Sequence, residues 1–281
     1  MSPSHLIGVL CAITAALSWG IGDFSGGLAT RKNNMFQVLV LVSSVGLVTF
    51  IILALVKGET IPSTRNILWA AGAGLSGAIG IAFLYQGLSQ GNIVIVAPTA
   101  AVIGAGIPVL IGVLLQGFPD HLQLAGFLLG ILGIWLVTGS SPSVSVGKKQ
   151  GLFFGVVAGV GFGGFFVLIA QVESGALFAP LAIAKGFSLI TALFLLAIRR
   201  IRLPSVTGNL TAVMAGLLDA GGNLFYLLSS QFTRLDVAAV LSCMAPAITV
   251  LLANRLLHEK VLGIQWLGVA LCATAVALIA I

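Results

Sequence analysis

The most constraining feature of this sequence is that it repeats its own half. The stretch from Ile61 to Gly126 recurs in degraded form about 142 residues later, so that Pro62 corresponds to Pro204. The other matching pairs are Gly74 and Gly216, Gly80 and Gly222, Gln123 and Gln265, and Gly126 and Gly268. In an almost wholly apolar chain, a repeat of this length predicts a membrane protein built from two homologous helical bundles.

The composition excludes a water-soluble fold. Hydrophobic residues make up 59% of the chain and charged residues 7%, whereas soluble domains carry roughly 25% charged residues. So few charges cannot cover a surface that faces water, so lipid must be the solvent. The 13 Lys and Arg residues are thinly spread, and nucleic-acid binding would require a dense basic face. We therefore expect a lipid bilayer around the protein and no nucleic-acid partner.

The apolar runs predict an all-α polytopic protein with ten transmembrane helices, since about 20 apolar residues cross the hydrocarbon core as a helix. The predicted spans are Leu6–Leu28, Met35–Val56, Ile67–Ser89, Ile93–Leu115, Leu122–Gly139, Gly151–Val172, Ala176–Ile198, Gly208–Ser229, Asp236–Leu257 and Leu262–Ile281. A polar linker follows the fifth span. We assign 1–141 to the first five-helix repeat, 142–150 to the linker and 151–281 to the second repeat.

Five spans per half give the two repeats opposite orientations in the membrane, and they place both termini on the same side. Such bundles can rock against each other around a central site, which is the basis of alternating access. With the N-terminus inside, the inner loops would carry only Lys57, Arg65 and Arg234. The outer loops would carry Arg31, Lys32, Lys148, Lys149, Arg199, Arg200, Arg202, Arg255 and Lys260. The positive-inside rule therefore favours termini outside.

Ionisable residues within predicted spans are candidate site residues, because charges are costly in a membrane and usually face a protein interior or a polar path. Asp219, Asn223 and Tyr226 share one face of the eighth span. This set could bind an ammonium or hydroxyl group, and Asp219 could instead carry a proton. Lys185 lies at similar depth in the seventh span. A structural ion pair between Lys185 and Asp219 is the alternative to a direct binding role.

A second set of candidates lies on the first, third and sixth spans. Asp23 follows Trp19 by one helical turn, and two interpretations stay open: a capping or solvated carboxylate, or a ligand group. Trp19 is either an interfacial anchor or an aromatic wall of a cavity. The repeat places Phe162 opposite Trp19, which suits a cavity lined by two rings. Tyr85 is a further candidate near the end of the third span.

Prolines and glycines mark the helices that are expected to bend or pack closely. Pro98 and Pro108 interrupt the fourth span and Pro246 the ninth. Proline frees a backbone carbonyl, which is tolerated where neighbours or a cavity satisfy it, so these residues indicate a bend or a lining of the substrate path. A stripe of small residues runs along the sixth span at Gly151, Gly155, Gly159 and Gly163. Such stripes allow close helix packing, and either static packing or sliding fits them.

Several motifs resemble those of EamA-type members of the drug/metabolite transporter superfamily. The segment Leu17–Phe24 (LSWGIGDF) resembles the first-span signature of these proteins. The segments Ala245–Leu251, Leu257–Lys260 and Gln265–Gly268 resemble the pattern that closes each EamA repeat. The resemblance covers essentially the whole chain. In the first half, however, Gln116-Gly117 stands where the second half has Glu259, so any role of that acid is single.

The resemblance implies a carrier of the inner (plasma) membrane, commonly an exporter of amino acids or other small metabolites, with both termini in the cytoplasm. This orientation conflicts with the loop charges. The resemblance also implies a central cavity formed by spans one, three, four, six, eight and nine. The residues it would expose are Trp19, Tyr85, Pro98, Phe162, Asp219, Asn223, Tyr226, Ser242 and Pro246.

The sequence thus favours a secondary transporter of small metabolites that works as a monomer or homodimer, with protons as a candidate coupling ion. A channel or a non-transporting scaffold is the alternative, although no helix carries the continuous polar stripe expected of a channel. We expect no enzymatic activity, no cofactor and no metal, because the histidines lie at span ends and no nucleophile–base or metal-ligand pattern occurs. These histidines are His5, His121 and His258.

Overall fold

A computed structural model describes residues 3–89, 93–138, 148–173, 175–205, 209–258 and 261–280. Within these ranges the regular structure is entirely helical. The helices are α1 (Pro3–Thr30), α2 (Met35–Lys57), α3 (Thr64–Ser89), α4 (Ile93–Gln116), α5 (His121–Thr138), α6 (Lys148–Ile169), α7 (Phe178–Ile198), α8 (Leu210–Phe232), α9 (Leu235–Ser242), α10 (Ala245–Leu257) and α11 (Gly263–Ala280).

The helices confirm the predicted polytopic all-α fold. In the described part of the chain, nine segments are long and apolar enough to cross a membrane, with α9 and α10 together forming the segment Leu235–Leu257. The shorter apolar helix Gly263–Ile279 lies where the tenth span is predicted. The sixth helix begins at Lys148, so the last three residues of the predicted linker are helical. Residues 142–147 of the linker lie outside the described residues.

Contacts between helices follow the duplication. The repeat equates α1 with α6, α2 with α7, α3 with α8, α4 with α9–α10, and α5 with α11. The principal contacts occur in matched sets: α1 on α8 and α6 on α3, α1 on α10 and α6 on α4, and α2 on α8 and α7 on α3. The remaining principal contacts, α2 on α7 and α5 on α11, join equivalent helices. A pseudo-twofold axis therefore passes between the two halves.

The packing directions show that the repeats are inverted. Gly161 of α6 packs on Gly80 of α3, and Gly164 packs on Ser76, so α6 runs antiparallel to α3. Helix α3 runs in the same direction as α1. Helix α6 therefore runs antiparallel to α1, the equivalent helix of the first repeat. His5 near the start of the chain lies 3.4 Å from the carbonyl oxygen of Ile279 near its end. Both ends of the described chain thus lie on one side, which we call the N-terminal face. The opposite side, which carries the linker, is the linker face.

The glycine stripe of α6 forms a groove that receives side chains from α4. A Cβ atom built at Gly155, Gly159 or Gly163 would lie 2.6 to 2.7 Å from the Cβ atom of a β-branched residue of α4. Those residues, in the same order, are Thr99, Ile103 and Ile107. Small residues permit this approach, and van der Waals packing then holds the helices together in lipid.

The prolines affect the fourth and ninth spans differently. In the fourth span, α4 continues as one helix through Pro98 and Pro108, and a bend or a path-lining role for these prolines stays a prediction. Close packing of α4 into the α6 groove accounts for the tolerance, since a neighbouring helix can support the backbone around a proline. The ninth span does divide. Cys243 and Met244 separate α9 from α10, and Pro246 occupies the first turn of α10, where its missing N–H group costs nothing.

A carboxylate from the loop between α2 and α3 caps α7, the helix that carries Lys185. Glu59 accepts hydrogen bonds from the backbone N–H groups of Leu177, Phe178 and Ala179, at 3.3, 3.2 and 2.7 Å. These groups have no partners within the helix, and the helix dipole favours an anion at this end. The contact fixes the depth of α7 relative to α2.

Candidate functional site

An ion pair joins α7 to α8 in the middle of the fold. The Lys185 Nζ atom donates to Oδ2 of Asp219. Asn223, one turn further along α8, donates from its side-chain nitrogen to Oδ1 of Asp219 at 3.2 Å. Both carboxylate oxygens of Asp219 therefore have donors. The two predicted alternatives for this residue meet here, because a structural ion pair exists within the candidate site.

The lysine reaches this position along a glycine of α2. A Cβ atom at Gly46 would lie 3.2 Å from both Cδ and Cε of Lys185. The absence of a side chain at Gly46 thus leaves room for the aliphatic stem of the lysine. Lys185 is only 8% exposed, and a buried ammonium group requires the anionic partner that Asp219 provides.

Asp219 faces the protein interior and not the lipid. On α8, the exposed apolar residues Leu210, Met214 and Leu217 form one face. Asp219 lies on the opposite face, with the buried residues Ala215 and Asn223. Yet the Asp219 side chain is 28% exposed. Since this exposure lies on the inward face, it marks an opening inside the bundle.

Asp23 of α1 lies beside this opening. It shares the inward face of α1 with Ala12 and Trp19, and its side chain is exposed, whereas Leu17 and Ile21 form the outward, apolar face. The residue before Asp23, Gly22, packs on α8, and a Cβ atom at Gly22 would lie 3.5 Å from the Asp219 backbone nitrogen. Within the described residues, the Asp23 carboxylate has no hydrogen bond or salt bridge. Asp23 is therefore not a cap but an exposed carboxylate in the interior.

An aromatic cluster forms one wall next to these charges. The Trp19 ring lies 5.7 Å from that of Phe166 and 6.1 Å from that of Tyr226. Tyr226 is completely buried, and its hydroxyl donates to the Phe166 carbonyl oxygen at 2.9 Å. In this conformation the Tyr226 hydroxyl is thus occupied by α6. Phe165 completes the cluster, 6.4 Å from the Tyr226 ring.

The predicted correspondence between Trp19 and Phe162 appears in their packing. A Cβ atom at Gly222 would lie 2.5 Å from Nε1 of Trp19, and one at Gly80 would lie 2.9 Å from Cδ1 of Phe162. Gly80 and Gly222 are themselves repeat equivalents. Each ring therefore packs on a helix of the other half at an equivalent glycine. The two rings are thus related by the pseudo-twofold axis.

The charges, however, do not obey this symmetry. Asp219 has Gly77 as its counterpart, and a Cβ atom at Gly77 would lie 3.4 Å from the Phe165 ring. Lys185 has Ser43 as its counterpart, which is 2% exposed. One side of the interior, formed by α1, α7 and α8, is thus charged. The related side, formed by α2, α3 and α6, is aromatic or uncharged.

The remaining predicted site residues lie around this centre. Ser242 of α9 is fully buried and donates to the Ala12 carbonyl oxygen at 3.4 Å. Pro98 and Pro108 are buried, whereas Pro246 is partly exposed. Tyr85 belongs to α3, but its side chain lies outside the described part of the structure.

Polar contacts close the N-terminal face below the centre. Arg234 binds Asp236 through two nitrogens, at 3.1 and 2.7 Å. It also donates to the carbonyl oxygens of Gln116, the last residue of α4, and of Gly117, which follows the helix. The Asn66 amide donates to Glu173 at 3.1 Å. Polar contacts also join elements at the linker face, where the Asn33 side chain donates to Asn209 at 2.6 Å and Gln37 donates to the Arg202 carbonyl oxygen at 2.8 Å. Gly27, towards the same face, is exposed, with no atom within 4 Å of its Cβ position.

Sequence reasoning missed the groups that support the centre. Gly46 accommodates Lys185, and the Asp236 side chain at the N-terminal face is completely buried. The one signal available was the spacing Arg234-Leu235-Asp236 before an apolar run, which places opposite charges at a helix start. Nothing in the sequence distinguished Gly46 from other packing glycines.

Comparisons with known proteins agree with the duplication. The model of the EamA-like transporter family matches residues 6–139 and again 149–281. An uncharacterized protein of Methanocaldococcus jannaschii is 30% identical over 132 residues, which make up 46% of this chain and 95% of that protein. That relative thus has about the length of one repeat. A crystal structure of a protein aligns with a TM-score of 0.75 and 21% identity, covering 96% of this chain and 95% of that chain. At this identity the likeness concerns the fold alone.

Proposed function

The chain belongs to the EamA-like transporter family of the drug/metabolite transporter superfamily, and we propose that it exports small metabolites, such as amino acids or amphipathic compounds, by alternating access. The family makes the chain a multi-pass membrane transporter. The export direction, the kind of substrate and the mechanism are our proposal. Its substrate site is the interior centre around Asp219.

The observation that carries this proposal is the inward, partly exposed ion pair of Lys185 and Asp219. Intramembrane ions are costly, and they occur where they serve a substrate or ion path. A pair needed only for packing would be expected to exclude water, whereas the Asp219 side chain retains 28% exposure. The pair also links two helices with different neighbours. Helix α7 contacts α2 and α3, and α8 contacts α1 and α2.

Alternating access is supported by the inverted repeats. Contacts such as those of Arg234 join helices at the N-terminal face, and those of Asn33 and Gln37 join elements at the linker face. In an inverted-repeat carrier, exchange of the two repeat conformations produces the opposite opening. The contacts between Arg234, Asp236 and the end of α4 would then break during each transport cycle.

The first test is substitution of Asp219 by asparagine. We expect Asp219→Asn to lower the rate of substrate flux into proteoliposomes by about 10- to 100-fold, the equivalent of one charge-assisted hydrogen bond. The measurement is uptake of radiolabelled amino acids and amines driven by substrate preloaded on the other side. The uptake measurement is repeated with and without a pH gradient. This comparison tests whether proton movement drives transport and whether that coupling requires Asp219.

The matched control is Asp120→Asn, which removes an exposed carboxylate before α5 and leaves a good N-terminal cap. It should transport like the unmodified protein. Full gradient-driven flux in Asp219→Asn would show that Asp219 is not the coupling site. Single-channel conductance steps in place of saturable flux would identify a channel instead.

We further propose that the protein lies in the inner (plasma) membrane with both termini in the cytoplasm and acts as a monomer or homodimer. The contact between His5 and the Ile279 carbonyl supports a shared side for the termini. The proposed units remain 1–141 and 151–281, joined by the linker 142–150. The loop charges favour the opposite orientation, so the side of the termini is decided by labelling from outside intact cells.

A further inference from the structure

We propose that the substrate is an amphipathic amine with a single positive charge, whose ammonium group binds the Asp23 carboxylate. This inference rests on the proposed transport function and specifies its substrate class. Its basis is the juxtaposition, beside Asp219, of an unpaired carboxylate on α1 with the partly exposed Trp19 ring on the same helix face.

The interior holds two carboxyl groups and one amino group. Away from helix ends, the described spans contain three charged side chains: Asp23, Lys185 and Asp219. Lys185 and Asn223 occupy the oxygens of Asp219. Lys185 is also held in place by its buried stem beside Gly46. Asp23 is consequently the carboxylate that has no counter-ion of its own.

An unpaired carboxylate in a membrane interior favours a cationic partner, because the surrounding medium screens the charge weakly. An ammonium group between Asp23 and Asp219 would be attracted by both carboxylates, with Lys185 cancelling one of them. A second positive charge on the substrate would find no further free anion, and an anionic substrate would be repelled. The charges thus select a substrate with one positive charge.

The substrate body should be apolar and flat. Trp19 lies one turn from Asp23 on the same face of α1, and the rings of Trp19 and Phe165 are partly exposed. The buried rings of Phe166 and Tyr226 pack behind Trp19. On the related side of the axis, the counterpart of Asp219 is Gly77 beside the Phe165 ring. A ligand held at Asp23 would therefore direct its other end towards aromatic rings, which favour aromatic and apolar groups.

Three probes of similar size test the charge preference on the purified full-length protein. They are 2-phenylethylamine, neutral 2-phenylethanol and anionic 3-phenylpropanoate, titrated by calorimetry at pH 7. We expect the amine to bind at least about tenfold more tightly than the other two, a difference expected for a charge-assisted hydrogen bond. Equal binding of the amine and the alcohol, or binding of none of the three, overturns the inference. The inference is also overturned if KCl, titrated at the same concentration in place of the amine, gives the same binding signal.

Variants of Asp23 test the assigned residue. Asp23→Asn should weaken amine binding by about 10- to 100-fold, whereas Asp23→Glu should bind the amine more tightly than Asp23→Asn does. Asp120→Asn is the control that keeps the affinity of the unmodified protein. Unchanged affinity in a folded Asp23→Asn variant overturns the assignment. If Asp23→Asn does not fold, the probe comparison on the unmodified protein still decides the charge preference.

Transport is measured separately, so that the two ideas can fail independently. Labelled 2-phenylethylamine is supplied to proteoliposomes with or without unlabelled amine inside. Binding without exchange-stimulated flux would contradict the proposed transport function but leave the amine site standing. Flux of amino acids without discrimination among the three probes would support transport and contradict the amine site.

Discussion

Replacing Lys185 with methionine is expected to lower the free energy of unfolding by about 3–5 kcal/mol, the usual cost of removing one partner from a buried ion pair. Lys185 is 8% exposed, and its ammonium group donates to Asp219. Methionine would still fill the space beside Gly46. The loss would therefore come from the Asp219 carboxylate left without its cation, and not from a cavity. Unfolding in a detergent-based denaturant titration provides the measurement.

The double variant Lys185→Met/Asp219→Asn separates charge from packing. Removing both partners should restore most of the lost stability, giving a coupling energy well above that of an exposed pair. The control Lys57→Met removes an exposed lysine at the end of α2 and should change stability by less than about 0.5 kcal/mol. Additive losses in the double variant would show that Lys185 and Asp219 do not stabilise each other.

Substitution of Gly74 by alanine is expected to destabilise the packing of α3 on α7 by about 3 kcal/mol, the upper part of the range for overpacked sites. A Cβ atom there would lie 2.8 Å from both the Cα and carbonyl carbon of Ala184. These are backbone atoms, so no side-chain rotation can relieve the clash. The repeat equivalent, Gly216, lies against α2 in the same way, with its Cβ position 3.2 Å from Cα of Val42. Gly216→Ala should therefore also be destabilising.

Gly106→Ala provides the matched control, because no atom lies within 4 Å of the Cβ position of Gly106. In a helix this change should be neutral or raise stability by about 1 kcal/mol, given the higher helix propensity of alanine. Thermal unfolding of all three variants in one detergent gives the comparison. Equal stabilities of Gly74→Ala and Gly106→Ala would contradict the close approach of α3 and α7.

The inward grouping of polar residues could be predicted from the sequence because it depends only on helical spacing within one span. Asp219 and Asn223 are one turn apart, so any helix puts them on one face. The opposition of Trp19 and Phe162 was also predictable, because the duplication supplies the symmetry. The Lys185–Asp219 pair required one further step, namely that adjacent spans run antiparallel and bring their midpoints to similar depth.

Other features depend on contacts between helices from different halves, and no spacing encodes those. Asp23 had two open interpretations because the sequence does not show that α1 packs on α8. In the structure, a Cβ atom at Gly22 would lie 3.5 Å from the Asp219 backbone nitrogen. The Tyr226 hydroxyl could not be assigned without knowing that it reaches Phe166 of α6. The continuity of α4 through two prolines likewise depends on its neighbour α6.

Cysteine labelling with a charged, membrane-impermeant thiol reagent tests most directly whether the interior around Asp23 is open to water. The background would lack the native residues Cys11, Cys243 and Cys272. Single cysteines would replace Asp23, which is exposed inside the bundle, and Ile21, which is 37% exposed on the lipid-facing side of the same helix. A third would replace Ser242, which is fully buried.

The polar interior predicts rapid modification of the Asp23→Cys protein and slow modification of the other two, since a charged reagent enters neither lipid nor packed protein. Addition of 2-phenylethylamine should not alter the two slow sites. Applied to intact cells, the reagent also reports which membrane side the linker face occupies. Slow modification at Asp23→Cys, or equal rates at Asp23→Cys and Ile21→Cys, would contradict a water-filled hollow between the two repeats.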